Sequence, residues 1–339
     1  MKLIRTEDAV GHVLCHDMTQ IIKDKYKDAR FRKGHVVTEE DIPVLLSMGK
    51  AHLYVWEMTP GMVHENDAAE RLLTLCGQEN MLRSEVKEGK IELKAACDGV
   101  FLVDSQRLIA VNSQDEVMIA TRRGGTAVRA GDKLAGMRVI PLIIAEEKLQ
   151  KAERAAGGEP LLALKPYVRK TACIVATGGE VKKGLIQDTF TPVVIDKLRT
   201  YGIETLEVVY SGDGVENVRD AVLAMRERNP DMVLCTGGMS VDPDDNTPSG
   251  IRAAGADIVC YGAPVLPGAM FLVSYLDGVP VCGLPGCVMY AKRTIFDLLL
   301  PRLLADVPIT AEDIARLGEG GLCLGCAECH WPNCGFGHC

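Results

Sequence analysis

The sequence predicts an α/β protein whose largest part is a three-layer, mostly parallel sheet, preceded by a smaller α+β domain and a β-rich domain. Three observations predict it. Residues 166–307 alternate short apolar runs with amphipathic stretches, the βαβ rhythm of a parallel sheet. Three glycine-bearing loops follow predicted strands in that stretch. Residues 81–142 instead repeat apolar residues at short period between glycine turns, as half-buried strands do.

In residues 1–80, Arg32-Lys33-Gly34-His35 reads as a turn, and Thr38-Glu39-Glu40-Asp41 opens a helix through Leu45, Leu46 and Met48. Thr38 with Asp41 is close to a capping box, with Asp in place of the usual Glu. Gly49 ends that helix, His52 to Trp56 alternates like a strand, and residues 66–76 read as a connecting helix. In residues 81–165, Ile91–Ala95 and Glu116–Ala120 read as strands, with turns at Asp98-Gly99, Gly124-Gly125 and Ala130-Gly131-Asp132. Glu146–Ala156 is a charged helix that Gly157-Gly158-Glu159-Pro160 breaks, which sets the domain boundary between there and Lys165. In residues 166–307, strands are expected at Ala172–Ala176, Glu204–Tyr210, Asp231–Cys235, Met270–Tyr275 and Pro280–Cys282. Helices are expected at Thr189–Tyr201, Gly214–Arg228 and Val288–Leu304, the last kinked or ended near Pro301. Residues 308–339 form a Cys-rich tail.

At 339 residues, 47% hydrophobic and 25% charged, the chain has ordinary globular composition and room for two or three cored domains. A net charge of −8 excludes a broadly basic nucleic-acid-binding surface. Glu7 and Asp8 fall where a signal peptide needs an apolar core, and no apolar stretch approaches membrane-spanning length. The expectation is a cytoplasmic protein without a nucleic-acid or membrane partner. Several of the scattered cysteines (Cys173, Cys235, Cys282) lie inside apolar runs, where cysteine acts as a small hydrophobe.

The richest segment runs Cys235-Thr236-Gly237-Gly238-Met239-Ser240-Val241-Asp242-Pro243-Asp244-Asp245-Asn246-Thr247-Pro248. A strand, a glycine turn and a helix start together build an anion site at the carboxyl end of a strand. Asp242, Asp244 and Asp245 would repel a phosphate unless a divalent cation lies between them, so the loop reads as a phosphate-plus-metal site, with Mg²⁺ the expected ion. Asn246 or Thr247 also fits an N-cap, with Pro248 at the first helical position. Two further loops share the pattern. One is Ala176-Thr177-Gly178-Gly179-Glu180, followed by Lys182 and Lys183; the other is Gly283-Leu284-Pro285-Gly286. Parallel strands present their carboxyl ends together, so all three loops should share one rim.

In order and spacing, these three motifs resemble the molybdopterin-binding domain of molybdenum-cofactor biosynthesis proteins, the family of MoeA, MogA and gephyrin. There the loops read approximately Thr-Gly-Asp-Glu, Thr-Gly-Gly-x-Ser/Gly-x-x-x-Asp and Gly-Leu-Pro-Gly-Asn-Pro. The resemblance covers about residues 168–307. It implies a bound pterin with a dithiolene side chain and a terminal phosphate, or its adenylylated form. It also implies a homo-oligomer and a molybdoenzyme or cofactor-biosynthesis partner. Carried over by position, Thr177, Gly178 and Glu180 match the first loop, Thr236, Gly237, Gly238 and Ser240 the second, and Gly283, Pro285 and Gly286 the third. Asp245 matches the functional aspartate after the paired glycines, and Asp213 the aspartate after the second strand. Asp213 is equally placed to cap the helix at Gly214. The chain departs from the pattern at Gly179, at Asp242 and at Cys287-Val288, and residues 1–165 lack the Asp-Gly-Tyr-Ala signature of the MoeA amino-terminal region. Cys287 opens a predicted helix, where a thiolate is stabilised; the alternative is a packed thiol. The implied function is Mg-dependent nucleotidyl transfer or metal insertion, by an adenylyl- or molybdenum-transferase-like protein. The alternatives are a non-catalytic molybdopterin carrier or sensor, and a CinA-like nucleotide hydrolase.

The tail carries Cys323, Cys326, Cys329, Cys334 and Cys339, spaced C-x₂-C-x₂-C-x₄-C with a fifth cysteine last. Zinc would need four of these ligands, with His330 or His338 able to replace a thiolate. An iron–sulfur cluster is the alternative, although the run misses the ferredoxin spacing by one residue and lacks its proline. Soft-metal handling is a third use. With so little apolar content, the tail is expected to need an ion in order to fold.

Overall fold

The computed structural model describes residues 2–22, 26–55 and 60–337. The chain divides into two compact units, one of residues 1–97, 102–124 and 130–164 and the other of residues 98–101, 125–129 and 165–339.

The first unit is built from short antiparallel pairings. Lys2–Arg5 pairs with His52–Val55, and Met18–Ile22 with Tyr26–Phe31. Leu14, Met18, Phe31, Leu45 and Leu53 form the small core beneath them. Asp41 behaves as the sequence suggests: its carboxylate accepts from the Thr38 N–H and hydroxyl at 2.9 and 2.8 Å and starts the helix Asp41–Ser47. Trp56, which the sequence assigns to the preceding strand, lies outside the described residues. Glu65–Cys76 is a helix, and Met81–Arg83, Lys90–Ala95, Lys133–Val139 and Val117–Thr121 form a four-stranded antiparallel sheet in that order. The β-rich stretch also holds a helix that its short period conceals, Ser105–Asn112, which Asp104 caps by accepting from the Arg107 N–H. Glu146–Ala156 is helical as expected.

The second unit carries a six-stranded sheet. Its strands, numbered within this unit, are β1 (Thr171–Thr177), β2 (Glu204–Ser211), β3 (Met232–Thr236), β4 (Asp257–Tyr261), β5 (Leu272–Leu276) and β6 (Val279–Leu284). Their spatial order is β2-β1-β3-β6-β5-β4. β2, β1, β3 and β6 run parallel, while β5 and β4 add antiparallel at one edge. β4 is absent from the sequence expectation, because Ile258-Val259-Cys260 is too short an apolar run to stand out.

Alternate strand residues face opposite layers, as the pleat requires. Ala172 and Ile174 of β1 and Leu234 of β3 pack under α2 (Phe190–Arg199) and α5 (Ile295–Leu304). Cys173, Val175, Val233 and Cys235 face α3 (Val215–Glu227) and α4 (Thr247–Ala253) on the other side. The α/β, three-layer class is therefore observed. Two short helices complete the unit, α1 (Gly179–Lys182) and α6 (Ala311–Arg316).

The expected Val288–Leu304 helix is corrected. Gly286–Met289 is a short 3-10 turn, and α5 begins only at Ile295. The cause is local: Thr294 and Asp297 close a capping box, which fixes the start of the helix there.

Candidate functional site

Parallel register brings the carboxyl ends of β1, β2, β3 and β6 to one rim. Thr177 lies opposite Ser211, Ala176 opposite Thr236, and Thr236 opposite Leu284. The three glycine loops therefore leave adjacent strands of one sheet.

Three threonines tie the first two loops together. The Thr177 hydroxyl donates to the Thr236 carbonyl at 3.0 Å and lies 3.1 Å from the Thr247 hydroxyl, which donates to the Gly237 carbonyl at 2.9 Å. All three residues are buried. The Thr177 side chain thus serves the scaffold, and its hydroxyl is spent inside the protein. Close packing explains the paired glycines. A Cβ on Gly237 would lie 2.4 Å from the Thr177 carbonyl oxygen, and one on Gly238 would lie 2.6 Å from the Thr247 hydroxyl; both residues also have positive φ. Gly283 is small for the same reason, because the Met239 sulfur fills the place of its Cβ at 2.5 Å.

Asp213 reaches across from the end of β2. Its carboxylate accepts from the Gly179 N–H at 2.8 Å and shapes the first loop at the start of α1. Asp245 does the same for the acidic loop, accepting from the Ser240 N–H at 2.9 Å, while its own N–H donates to the Asp242 carbonyl at 2.9 Å. Asp242, Asp244, Ser240 and Glu180 are exposed, as are Lys182 and Lys183. In the third loop Pro285 is buried and Gly286 is exposed, with no atom within 4 Å of the place a Cβ would take. That gap is open space at the rim. Cys287 is half-buried, and burial pushes its thiol above the usual range, so it is a packed thiol and not a stabilised thiolate.

Two rim residues escaped the sequence reading. The Tyr261 hydroxyl, at the end of β4, donates to the Met239 carbonyl at 2.9 Å and braces the second loop from the sheet edge. Burial, and then the Asp245 charge, push this phenol up. Asp188 caps α2 by accepting from the Phe190 and Thr191 N–H groups at 2.9 and 3.0 Å. Its neighbour Thr189 donates to the Met289 sulfur at 3.1 Å, which joins the segment after the first loop to the third. An Asp-Thr pair before an amphipathic run was the available signal for Asp188. Tyr261 gave none, because its strand was not recognised.

The metal expectations gain no support from the described residues. Among the described residues no group of three or more His, Cys, Asp or Glu side chains is placed to hold an ion. In the acidic loop Asp245 is braced on Ser240 and does not converge with Asp242 and Asp244, and Asp213 is engaged at Gly179. In the tail, Cys323 and Cys334 pack against the core while Cys326 and Cys329 are exposed; Cys339 lies outside the described residues. The tail nevertheless has an apolar anchor in Phe336, which is 4% exposed. No helix among the described residues is long and apolar enough to cross a membrane.

Fold and rim together define an α/β domain whose loops gather at the carboxyl ends of parallel strands, the usual place for a ligand in this class. Residues 173–305 match a family described as "Probable molybdopterin binding domain". Residues 3–57 match a domain of unknown function. A CinA-like protein of Mycobacterium tuberculosis is 32% identical over 80 residues, 24% of this chain and 19% of that protein. A "Probable FAD synthase" of Caenorhabditis briggsae is 28% identical over 113 residues, 33% of this chain and 21% of that protein. The chain thus spans only about a fifth of the curated relatives it matches. Among solved structures, the protein CinA of unknown function from Thermoplasma acidophilum is 18% identical, with a TM-score of 0.36 over 40% of this chain and 98% of that one.

Proposed function

We propose that residues 166–307 bind molybdopterin, or its adenylylated form, at the sheet rim, and that the protein acts in molybdenum- or tungsten-cofactor biosynthesis by nucleotidyl transfer or metal insertion. The observation that carries this reading is the junction of Thr177, Thr236 and Thr247, which locks two glycine loops side by side next to the open backbone at Gly286. A rim of this kind gives an anionic ligand close approach to backbone N–H groups in a preorganised frame. In this reading Asp213 and Asp245 position the loops, Ser240 offers an exposed hydroxyl to the ligand, and Lys182 and Lys183 offset phosphate charge.

The finer division into residues 1–80, 81–165, 166–307 and 308–339 belongs to the same proposal. So do homo-oligomeric assembly, a cytoplasmic setting, and docking of the flanking parts on a molybdoenzyme or biosynthetic partner. The test is titration of anaerobically purified protein with molybdopterin and its adenylylated form, followed by pterin fluorescence. The Asp245→Asn variant should keep the fold and lose turnover; full activity in that variant would sink the mechanism. Repeating the titration in EDTA reads whether Mg²⁺ enters with the ligand phosphate.

A second reading, a CinA-like nucleotide hydrolase, is favoured by the match to the CinA-like proteins. It predicts nucleotide cleavage with no pterin present.

A further inference from the structure

The first unit holds a cavity of its own, of about 630 Å³, within the range of small-molecule sites. Arg30, Arg32, His35, Glu40 and Asp41 supply its polar lining, and Ala29, Phe31 and Val44 its apolar wall. Local backbone chemistry gathers these residues. In the hairpin of Met18–Ile22 with Tyr26–Phe31, Phe31 pairs with Met18 and Ala29 with Thr19, which leaves Arg30 as the extra residue of a β-bulge. A bulge re-aims its side chain out of the strict alternation of the ladder. The turn that follows is tied at both ends. The His35 N–H donates to the Arg32 carbonyl at 3.0 Å, and the His35 carbonyl accepts from the Leu14 N–H at 2.9 Å.

One imidazole is fixed in this lining. Burial raises the Asp41 carboxyl, but the hydrogen bonds from His35 and Thr38 outweigh it and hold the group below its usual range. Asp41 is therefore an ionised acceptor, and His35 Nε2, 2.6 Å from it, carries a proton. The same Asp41 oxygen accepts from the Thr38 N–H and hydroxyl, so its charge is spent on its neighbours. The imidazole also meets the Phe31 ring, at 5.2 Å between centroids. No described residue hydrogen-bonds His35 Nδ1, and none forms an ion pair with Arg30, Arg32 or Glu40.

Two guanidinium groups thus line the cavity against one carboxylate, Glu40, that is not already engaged. Guanidinium forks match phosphate oxygens, and an imidazole fixed by a carboxylate at one nitrogen keeps the other for a ligand. We propose that this cavity binds an organic phosphate monoester. Arg30 and Arg32 hold the phosphate oxygens, His35 Nδ1 bonds the same group, and the organic part lies against Phe31 and Val44. Glu40 opposes the anion and limits its affinity. The site stands apart from the pterin site proposed at the rim, and neither reading needs the other.

The test is calorimetric titration of the full-length protein with phenyl phosphate at about 0.15 M salt, where diffuse surface attraction is largely screened. One saturable site is expected, and Gly286→Trp, a change in the other unit, should keep it. R30Q and R32Q should each weaken binding about tenfold or more, the worth of a hydrogen bond to a charged group. H35Q should weaken it as well, and E40Q should tighten it. K27Q, which changes an exposed lysine outside the lining, should bind as the wild type does. Circular dichroism of each variant separates loss of the site from loss of the fold. No binding by the wild type, or undiminished binding by R30Q/R32Q, would overturn the site. Equal weakening by K27Q would replace it with diffuse attraction to a basic surface, and loss in Gly286→Trp alone would move the phosphate to the rim. Inorganic phosphate bound as tightly as phenyl phosphate would overturn the organic part of the assignment.

Discussion

At Gly179 the first loop has no room for a side chain, because a Cβ there would lie 2.9 Å from the Asp213 carboxylate. The Asp213 carboxylate, which reaches across from the end of β2, already occupies that space. Gly179→Asp should therefore weaken ligand binding through crowding and like-charge repulsion, with crowding alone costing about 1–3 kcal/mol. Adding Asp213→Gly should recover part of the loss, as read by pterin titration of both variants. At Gly238 a substitution meets two obstacles, a φ of +58° and the Thr247 hydroxyl 2.6 Å from the new Cβ. Gly238→Ala should lower stability by about 1–2 kcal/mol from backbone conformation alone, with the contact adding to it; a shift in the urea midpoint measures this. The thiols separate by burial. Cys235 is pushed up to about 12 by desolvation, so its reactive thiolate is scarce at neutral pH and forms only as the pH approaches that value. Iodoacetamide at neutral pH should therefore label the exposed Cys326 and Cys329 while Cys235 stays unlabelled, as mass mapping will show. The types and spacing of the rim residues were legible in the sequence, but the aim of each side chain was not. Thr177 reads as a ligand contact until its hydroxyl is found on the Thr236 carbonyl.

The elements that were legible carry their own punctuation. α3 runs from Val215 to Glu227 with Val218, Val222 and Met225 on its buried face, a clear helical period. The start of α5 was not legible, because Val288 continues the apolar pattern and gives no sign that the chain breaks before Thr294. What decides the start is the buried Asp297. It accepts from the Thr294 N–H at 2.8 Å, from Lys197 at 2.7 Å and from Arg293 at 3.0 Å. Removing that carboxylate would leave the largely buried Lys197 without its counter-charge. Asp297→Ala should cost about 3–5 kcal/mol, the range for breaking a buried ion pair from one side. A loss below about 1 kcal/mol in urea unfolding would show the pair to be solvated in practice, as exposed pairs are.

At the scale of the whole chain, the parallel sheet was legible because βαβ repetition constrains topology strongly. The assignment of residues 98–101 and 125–129 to the second unit was not, since it depends on pairings such as Thr126 with Phe101 that no local pattern announces. A fragment of residues 165–339 should therefore be less stable than the same unit in the full chain, which proteolysis of both would detect. The tail hid its anchor in a single aromatic residue. Phe336→Ala removes a buried ring, a change that costs about 3–5 kcal/mol in a core, and should expose residues 321–337 to trypsin while leaving the sheet folded.

The most direct measurement is pterin titration of the anaerobic full-length protein beside a Gly286→Trp variant, whose side chain enters the open space at the rim. Saturable molybdopterin binding by the wild type, lost in a variant that stays folded, is the predicted result. Equal binding by the two proteins, or none by the wild type together with nucleotide cleavage, would contradict a molybdopterin site at this rim.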